Sequence, residues 1–229
     1  MNTVILNGVN SNTITGLLIQ SLPSISKPQM RVEYEEIDGR DGDIINKLGY
    51  AAYDKEMEIG LHGNFDINEV ILFFSDEGEV IFSNEPDKIY RYTIIDQIDY
   101  ERLIRFRTAT VTFHVQPFKY STENDQTVTS SGSTVVNSGN VYSKPSITIT
   151  GSGTINLSLN GTQIFTITMG AQTSVTINSE TLEAYSGEIL MNRAVQGDYT
   201  NLILEPGNNT ITWTGSVTSI VIKNRSRWL

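Results

Sequence analysis

The sequence predicts a mainly β protein made of two domains. Its 229 residues are enough for two domains of ordinary size. The charge density falls at Tyr120, because residues 1–120 contain 11 basic and 19 acidic side chains and residues 121–229 contain 5 and 7. Serine, threonine and asparagine supply 44 of the last 109 residues, a composition typical of exposed faces and turns in antiparallel sheets.

The first half contains strand patterns and one helix signal. Apolar and polar residues alternate over residues 30–37, 90–100 and 103–115, as they do in half-buried strands. Asp66 and Glu69 are spaced three residues apart and an apolar run follows them, an arrangement that resembles a capping box. We therefore predict one short buried helix after Asp66.

The second half predicts a β-sandwich of short strands. Strands are expected at seven segments, namely residues 146–150, 154–159, 163–169, 174–178, 201–205, 210–214 and 218–223. Asn160-Gly161 is a favoured two-residue hairpin turn because both residues tolerate positive φ, and Pro206-Gly207 is a second turn signal. Seven short strands separated by turn signals are typical of a sandwich.

The domain boundary is expected in the polar stretch 121–140, which contains turn-forming residues and no sustained periodicity. The prediction is a first β domain over residues 1–125, a junction over 126–136 and a second β domain over 137–229. Part of the stretch could still pair as an edge strand.

Composition excludes several classes of protein. Cysteine is absent, so disulfides and thiolate metal sites cannot form. The net charge of -10 argues against nucleic-acid binding, which depends on phosphate contacts from basic groups. No apolar run approaches the roughly 20 residues that cross a bilayer, so membrane insertion is not expected. The amino terminus does not have the pattern of a secretory signal, so secretion is not expected either.

Residues that could carry catalysis are few. His62 and His114 both fall in segments that read as strands, and neither has a partner at metal-ligand spacing. Glu33, Glu35 and Glu36 could supply acids for glycoside hydrolysis, but adjacent charges on an exposed strand are normally only solvated. We therefore predict no catalytic, cofactor-binding or metal-binding residues, with a glycosidase that uses Glu35 as a remote alternative.

One loop is dense in acids and glycines. It reads Asp38-Gly39-Arg40-Asp41-Gly42-Asp43. Its acids stand at the first, fourth and sixth places, which does not match the alternate positions of an EF-hand calcium loop. We expect a tight structural turn in which Gly39 and Gly42 have positive φ.

The two tryptophans invite a sugar-binding hypothesis, because exposed indoles can stack on sugar rings. Trp213 alternates with Ile211 in a predicted strand, so we expect it in the core. Trp228 stands beside Arg225 and Arg227 near the carboxyl terminus. These last three residues are predicted to cover a domain junction or to face a partner.

Several motifs together resemble one family over nearly the whole chain. They occur in the first half at residues 37–42, 82–90 and 113–120, and in the second half at residues 137–140, 145–151, 204–209 and 225–228. In this order and spacing they resemble the distal tail protein (Dit) family of long-tailed bacteriophages that infect Gram-positive bacteria.

The resemblance implies a fold and a role. It implies a tail-tube-like β-sandwich or split barrel with a short helix, followed by a galectin-like β-sandwich. It also implies a homo-hexameric ring at the distal tip of the virion tail, made in the host cytoplasm. The ring would join the tail tube protein to the tail-associated lysin or fibre protein and to the receptor-binding protein. The long inserted carbohydrate-binding module of some relatives is missing here.

Two questions follow from this resemblance. Arg40 could pair across a subunit boundary, or it could pair with the acids of its own loop. The main alternative function is a carbohydrate-binding module that contacts host cell-wall sugars. Oligomeric state separates the two functions, because a hub forms a ring and a lectin-like module does not need one.

Overall fold

The computed structural model describes residues 2–229. The chain forms two compact units, the first ending at Thr122 and the second running from Glu123 to Trp228. Each unit has its own hydrophobic core. Strands dominate both units, so the prediction of a mainly β fold is confirmed.

The first unit is built on one antiparallel sheet. Its elements are β1 (Val4–Leu6), β2 (Val9–Asn10), a 3-10 helix (Ser11–Thr13), β3 (Leu17–Ile19), β4 (Met30–Glu35), β5 (Ile44–Tyr50), β6 (Tyr53–Leu61), α1 (Ile67–Phe73), β7 (Glu77–Phe82), β8 (Lys88–Thr93), α2 (Tyr100–Phe106) and β9 (Thr108–Ser121). The strand order in the sheet is β2-β1-β7-β8-β9-β6-β3, whereas β4 and β5 form a separate hairpin.

Alternation along the strands builds the core of this unit. In β6, Met57 and Ile59 are buried while Glu56 and Glu58 point to solvent, as the period of two in a strand requires. The sheet buries a ring cluster in which Phe113 meets Phe82 and Tyr92 edge to face. Edge-to-face ring pairs contribute about 0.5–1.5 kcal/mol beyond their buried area.

The predicted helix forms, but it is only partly buried, since Ile71 and Leu72 are exposed, and a second helix was not predicted. The Asp66 side chain accepts a hydrogen bond from the Asn68 backbone N–H at 2.9 Å and caps α1. The strand prediction over 90–100 is wrong beyond Thr93, and the one over 103–115 is wrong before β9 begins. Residues 100–106 instead form α2, which Asp99 caps through the Arg102 N–H at 2.8 Å.

The second unit is built around two long, bent strands. Its elements are β10 (Gln126–Val128), β11 (Ser133–Asn137), β12 (Ser146–Leu159), β13 (Thr162–Thr168), β14 (Ser174–Asn178), β15 (Glu183–Ser186), β16 (Ile189–Leu190), β17 (Val195–Gly197), a 3-10 helix (Tyr199–Asn201), β18 (Gly207–Lys223) and β19 (Arg227–Trp228).

Strands β12 and β18 pair along most of their length and change neighbours at bulges near Gly151 and Ser152. The first half of β12 pairs with β14, and its second half pairs with β13. On the other side, β18 pairs with β11 and then with β10. Both halves contribute to one core cluster, so the bent strands enclose a common core.

Several predicted boundaries in this half need correction. The predicted pairs of strands at 146–150 with 154–159, and at 210–214 with 218–223, are each one continuous strand. Residues 201–205 form no strand, since the 3-10 helix ends at Asn201 and Leu204 makes only an isolated bridge. The predicted hairpin turn is confirmed, because Asn160 and Gly161 have φ of 51° and 82°.

The stretch predicted as a junction is part of the second unit. Residues 126–136 contain β10 and most of β11, and both strands pair with β18. Val128 and Val135 belong to the core of this unit. The polar composition of the stretch reflects the solvent-facing side of two edge strands.

Candidate assembly surface

The hairpin of β4 and β5 is strongly exposed, and we call residues 30–50 the arm. Tyr34 and Ile45 oppose each other across its two strands, and their side chains are 62% and 56% exposed. Leu48 lies at the register shift between β4 and β5, opposite no residue of β4, and is 55% exposed. Burying an apolar side chain of this size stabilises a structure by about 1.5–3 kcal/mol, so the arm is suited to contact another molecule.

The root of the arm is held by the rest of the first unit. The ring of Tyr50 meets Phe118 of β9 edge to face, with centroids 6.0 Å apart. The Ala51 N–H donates to the Gln29 carbonyl at 2.8 Å. The arm is therefore a fixed projection at its base.

The tip of the arm, residues 35–43, contains the predicted acidic turn. Gly39 and Gly42 have φ of 82° and 78°, in the left-handed region predicted for them. The Arg40 N–H donates to the Ile37 carbonyl at 3.1 Å, which closes the turn.

The Arg40 side chain has no ion-pair or hydrogen-bond partner within residues 2–229. The structure thus shows no pairing of Arg40 with the acids of its own loop, and its pairing across a subunit boundary stays a prediction. Across residues 2–229, no three His, Asp or Glu side chains lie close enough together to hold a metal ion. The tip thus presents a turn with unpaired charges.

A buried polar cluster joins two of the motifs that carry the family resemblance. Lys119 Nζ donates to Glu85 Oε1 at 2.7 Å, and the Tyr90 hydroxyl donates to the other oxygen of Glu85. Lys55 Nζ donates to the Ser24 carbonyl at 2.7 Å and lies 4.9 Å from the centroid of the Tyr90 ring. The cluster ties strands β6, β8 and β9 to the segment that contains Ser24.

Burial shifts the pKa values of two side chains in this cluster, Lys55 and Tyr90. Desolvation lowers the pKa of Lys55, against the opposing effect of the Glu85 charge. Desolvation, followed by the hydrogen bond to Glu85, raises the pKa of Tyr90. Lys55 and Lys119 are 3% and 6% exposed, so neither ammonium group can reach a substrate. The cluster has a structural role.

The motif at residues 204–209 is built around Asn209, which is fully buried. Its Oδ1 accepts hydrogen bonds from the Glu205 N–H and from Asn160 Nδ2, both at 3.0 Å. Its Nδ2 donates to the carbonyls of Glu205 at 2.8 Å and Gly207 at 3.1 Å. The side chain thus holds the turn that leads into β18.

Asn137 has a similar role in the motif at 137–140. Its Nδ2 donates to the carbonyls of Val141 at 3.0 Å and Leu204 at 2.9 Å, and its Oδ1 accepts from the Gly139 N–H at 2.9 Å. A Cβ on Gly139 would lie 2.2 Å from the Arg227 carbonyl oxygen, so only glycine fits there. Asn137, Gly139 and Asn209 therefore stabilise loops.

The carboxyl-terminal arginines are used inside the second unit. Arg225 donates to Asn178 Oδ1 at 2.8 Å. Arg227 Nε donates to the Tyr142 carbonyl at 2.7 Å, and its guanidinium lies over the Tyr142 ring. Arg227 is only 8% exposed, and the role predicted for both arginines, to cover a domain junction or to face a partner, stays a prediction. Trp228 is half-buried, and its partner-facing role stays a prediction.

The residues considered for catalysis do not converge. His114 lies in β9, where its Nδ1 is 2.7 Å from Asp54 Oδ1 on the surface of the sheet. His62 follows the end of β6 and is exposed, which corrects its expected place in a strand. Glu33 and Glu35 share one side of the exposed arm and face no cleft. These groups form no acid-base pair across a pocket.

Two further surface features are a group of exposed acids and a group of exposed apolar side chains. The outer side of the first unit's sheet is acidic, with exposed carboxylates from Asp54, Glu56, Glu58, Glu77 and Glu79. In the second unit, exposed apolar side chains cluster in sequence at the β15–β16 hairpin, namely Leu182, Ile189 and Leu190. Trp213, which was expected in the core, is only half-buried and packs against the core of the second unit.

Solved structures from phage adsorption and baseplate assemblies have a similar fold. The crystal structure of SPP1 Dit (gp 19.1), described as a paradigm of the hub adsorption apparatus in phages that infect Gram-positive bacteria, matches with a TM-score of 0.72. The alignment covers 97% of each chain at 18% sequence identity. The resemblance to the distal tail protein family is thus confirmed at the level of the fold.

Chains of the phage p2 baseplate in its activated conformation also match. The structure with strontium has a TM-score of 0.54 at 9% identity, and the structure with calcium has a TM-score of 0.51 at 10% identity. Each alignment covers 97% of this chain and 98% of the other. The sequence matches no protein-family model and no curated protein. No helix in residues 2–229 is long and apolar enough to cross a membrane.

The sequence located the turn of the arm but not its exposure. Asp-Gly pairs signal a tight turn, whereas the isolation of β4 and β5 from the main sheet depends on pairing that no local pattern reveals. Exposed Tyr34 and Ile45 read as ordinary strand residues in the sequence.

Proposed function

We propose that the chain is the structural hub of a phage tail tip. In this role it forms a hexameric ring at the distal end of the virion tail, after synthesis in the host cytoplasm. The ring joins the tail tube protein to the tail-associated lysin or fibre protein and the receptor-binding protein. The observation that carries the proposal is the match to SPP1 Dit along both units, 97% of each chain.

We assign the ring contacts mainly to the first unit. Support comes from the arm, whose exposed Tyr34, Ile45 and Leu48 are suited to burial against another copy. The unpaired Arg40 at its tip is available for a contact between subunits. A protein that acts alone gains nothing from such a projection, because its apolar side chains remain in water.

The second unit is assigned the outward contacts to other tail proteins. Its exposed apolar residues at the β15–β16 hairpin, Leu182, Ile189 and Leu190, support this assignment. Strand β16 pairs with β15 on one side, and an edge strand is a common site for the addition of a partner strand.

The charge of the chain suits a channel through which DNA passes. Six copies carry 6 × -10 = -60 formal charges. The acidic outer side of the first unit's sheet, which includes Glu56, Glu58 and Glu79, would repel the phosphate backbone if it faces the channel. The ring would then let DNA slide without binding it.

Mass photometry of the purified full chain tests the proposal. A hexamer has a mass of 6 × 25.5 = 153 kDa, and we expect that species to dominate. A monomer that binds host cell walls would favour the carbohydrate-binding module instead. Release of product from cell-wall substrate that disappears in Glu35→Gln, but not in Glu33→Gln, would support a glycosidase. We expect no release in any of these samples, with or without EDTA.

A further inference from the structure

The chain contains four pairs in which glycine follows asparagine or aspartate, and the fold holds them to different degrees. They are Asn7-Gly8, Asp38-Gly39, Asp41-Gly42 and Asn160-Gly161. Such a pair can cyclise, because glycine has no side chain to shield its backbone nitrogen from the preceding amide or carboxyl carbon. In a folded chain the reaction depends on how firmly the side chain and the following N–H are held.

The two asparagine pairs are held by hydrogen bonds. Asn7 Nδ2 donates to Ser75 Oγ at 2.8 Å, and Asn7 Oδ1 accepts from the Glu79 N–H at 2.8 Å. Asn160 Oδ1 accepts from the Thr210 N–H at 2.8 Å, and the Asn160 N–H donates to the Thr210 carbonyl at 2.8 Å. Neither side chain can turn towards the next nitrogen unless these hydrogen bonds break together.

The two aspartate pairs lie in the tip of the arm, where all residues from 35 to 43 are exposed. Within residues 2–229, the carboxylates of Asp38 and Asp41 have no hydrogen-bond or ion-pair partner. Over the same residues, the N–H groups of Gly39 and Gly42 donate to no acceptor. Both the reacting carbon and the reacting nitrogen are therefore free at each pair.

Little has to open before either aspartate can react. The hydrogen bond from the Arg40 N–H to the Ile37 carbonyl spans the first pair, and it is long and exposed at 3.1 Å. Asp41 lies outside that turn. Opening one exposed hydrogen bond costs little free energy, because water replaces the partner.

We propose that Asp38 and Asp41 of the unassembled chain are sites of spontaneous isoaspartate formation. The nitrogen of the next glycine attacks the side-chain carboxyl carbon and forms a C–N bond. The carboxyl hydroxyl leaves as water together with the proton of that nitrogen. The product is a five-membered succinimide.

Hydrolysis completes the modification. Water adds to one of the two carbonyl carbons of the succinimide and breaks its bond to the nitrogen. Opening at the main-chain carbonyl leaves the chain connected through the former side chain, with one more carbon in the backbone. The atoms of the chain are conserved over the two steps, and no oxidant, reductant or cofactor takes part.

The product alters the tip without altering its charge. One carboxylate is kept at each site, but it now belongs to the former main chain. The extra backbone carbon changes the turn that the Arg40 N–H closes. The reaction therefore limits how long a free chain keeps a native tip. This inference concerns the single chain and stands whether or not the proposed ring forms.

Peptide mapping of the full chain after several weeks at neutral pH and body temperature tests the proposal. The sample is diluted until mass photometry shows monomers. If the wild-type chain does not dissociate, Leu48→Asp, at an exposed position of the arm outside its tip, supplies the monomer. A second sample is kept unfolded in guanidinium chloride. Trypsin cuts after Arg40 and separates the two sites, and electron-transfer fragmentation locates isoaspartate in each peptide.

The expected result compares each site with itself in the folded and unfolded chain. Asp38 and Asp41 should react in the folded monomer at rates within about tenfold of their rates in the unfolded chain. Asn7 and Asn160 should deamidate at least thirtyfold more slowly in the folded chain than in the unfolded one. This comparison cancels the intrinsic difference in reactivity between asparagine and aspartate.

Two controls lie in the same tip. Asp43 is equally exposed but precedes Ile44, whose branched side chain shields the nitrogen, so it should form at least tenfold less isoaspartate than Asp41. Replacing both reactive acids, with Asp38→Glu and Asp41→Glu, keeps the charges but prevents closure of a five-membered ring. This double variant should form no isoaspartate in the tip, and its melting curve should match that of the wild-type chain.

The proposal is overturned if folding slows Asp38 and Asp41 by more than about tenfold, or if Asp43 forms as much isoaspartate as Asp41. Failure of the wild-type chain to form rings would refute the proposed function but not this modification, because the rates are measured on the monomer.

Discussion

Replacing Asn209 by alanine should strongly destabilise the second unit, although Asn209 touches no proposed partner. The side chain is fully buried and makes four hydrogen bonds, to the backbone of Glu205 and Gly207 and to the Asn160 side chain. The neighbouring Asn208 is exposed on the same strand, so Asn208→Ala is a matched control.

The expected magnitude follows from those hydrogen bonds. A hydrogen bond contributes about 0.5–1.5 kcal/mol net, and a buried group left without a partner costs about 1–3 kcal/mol. Glu205 and Gly207 are exposed residues, so water can rehydrate part of the freed backbone. We therefore expect Asn209→Ala to lower the free energy of unfolding by about 3 kcal/mol. The control should change it by less than about 0.5 kcal/mol.

Tryptophan fluorescence during urea unfolding reports on this unit in the full chain, through Trp213, which packs against its core. Both tryptophans, Trp213 and Trp228, lie in the second unit. With a slope of about 2 kcal/mol per molar urea, the midpoint should fall by about 1.5 M in Asn209→Ala. Equal midpoints for the Asn208 and Asn209 variants would refute the structural role assigned to the motif.

Three further predictions concern assembly, alkaline stability and the boundary between units. Arg40→Glu should lower the fraction of the protein that forms rings in a salt titration, whereas the control Arg193→Glu in the second unit should not. Equal fractions for the two variants would show that Arg40 does not lie in the interface. The pKa of Tyr90 is raised in the folded state, so its contribution to the stability of the first unit is fully present below the ordinary tyrosine pKa of 10 and is lost as the pH rises above it. Tyr90→Phe should therefore flatten the fall in melting temperature above pH 10. A fragment of residues 123–229 should unfold cooperatively, whereas a fragment of residues 137–229 lacks β10 and most of β11 and should be less stable; equal melts would contradict the observed boundary.

Local patterns predicted the parts of the fold that depend on local physics. Asp66 caps α1 as its side chain suggested, and Asn160-Gly161 forms the expected hairpin turn. The helix α2 was predicted as strand because it is only seven residues long and buries only Leu103. With one buried position, a short helix carries no 3.6-residue period to distinguish it from an alternating strand.

Long-range pairing determined what local patterns could not show. Residues 126–136 are polar and read as a junction, yet pairing with β18 incorporates them in a sheet. From the sequence, Arg227 was predicted to cover a domain junction or to face a partner, and only the fold brings it over the ring of Tyr142. The sequence did not predict the exposure of the arm for the same reason, since the pairing partners of β4 and β5 determine whether Tyr34 is buried or exposed.

The symmetry of the purified particle tests the hub account most directly. Class averages from electron microscopy of the full chain should show a closed ring with six-fold symmetry and a central channel. The first unit should form the inner wall of the ring. A tag inserted at the exposed turn that contains Glu188 in the second unit should then appear at the periphery of the ring. Monomers, or a closed particle with no channel, would contradict the account.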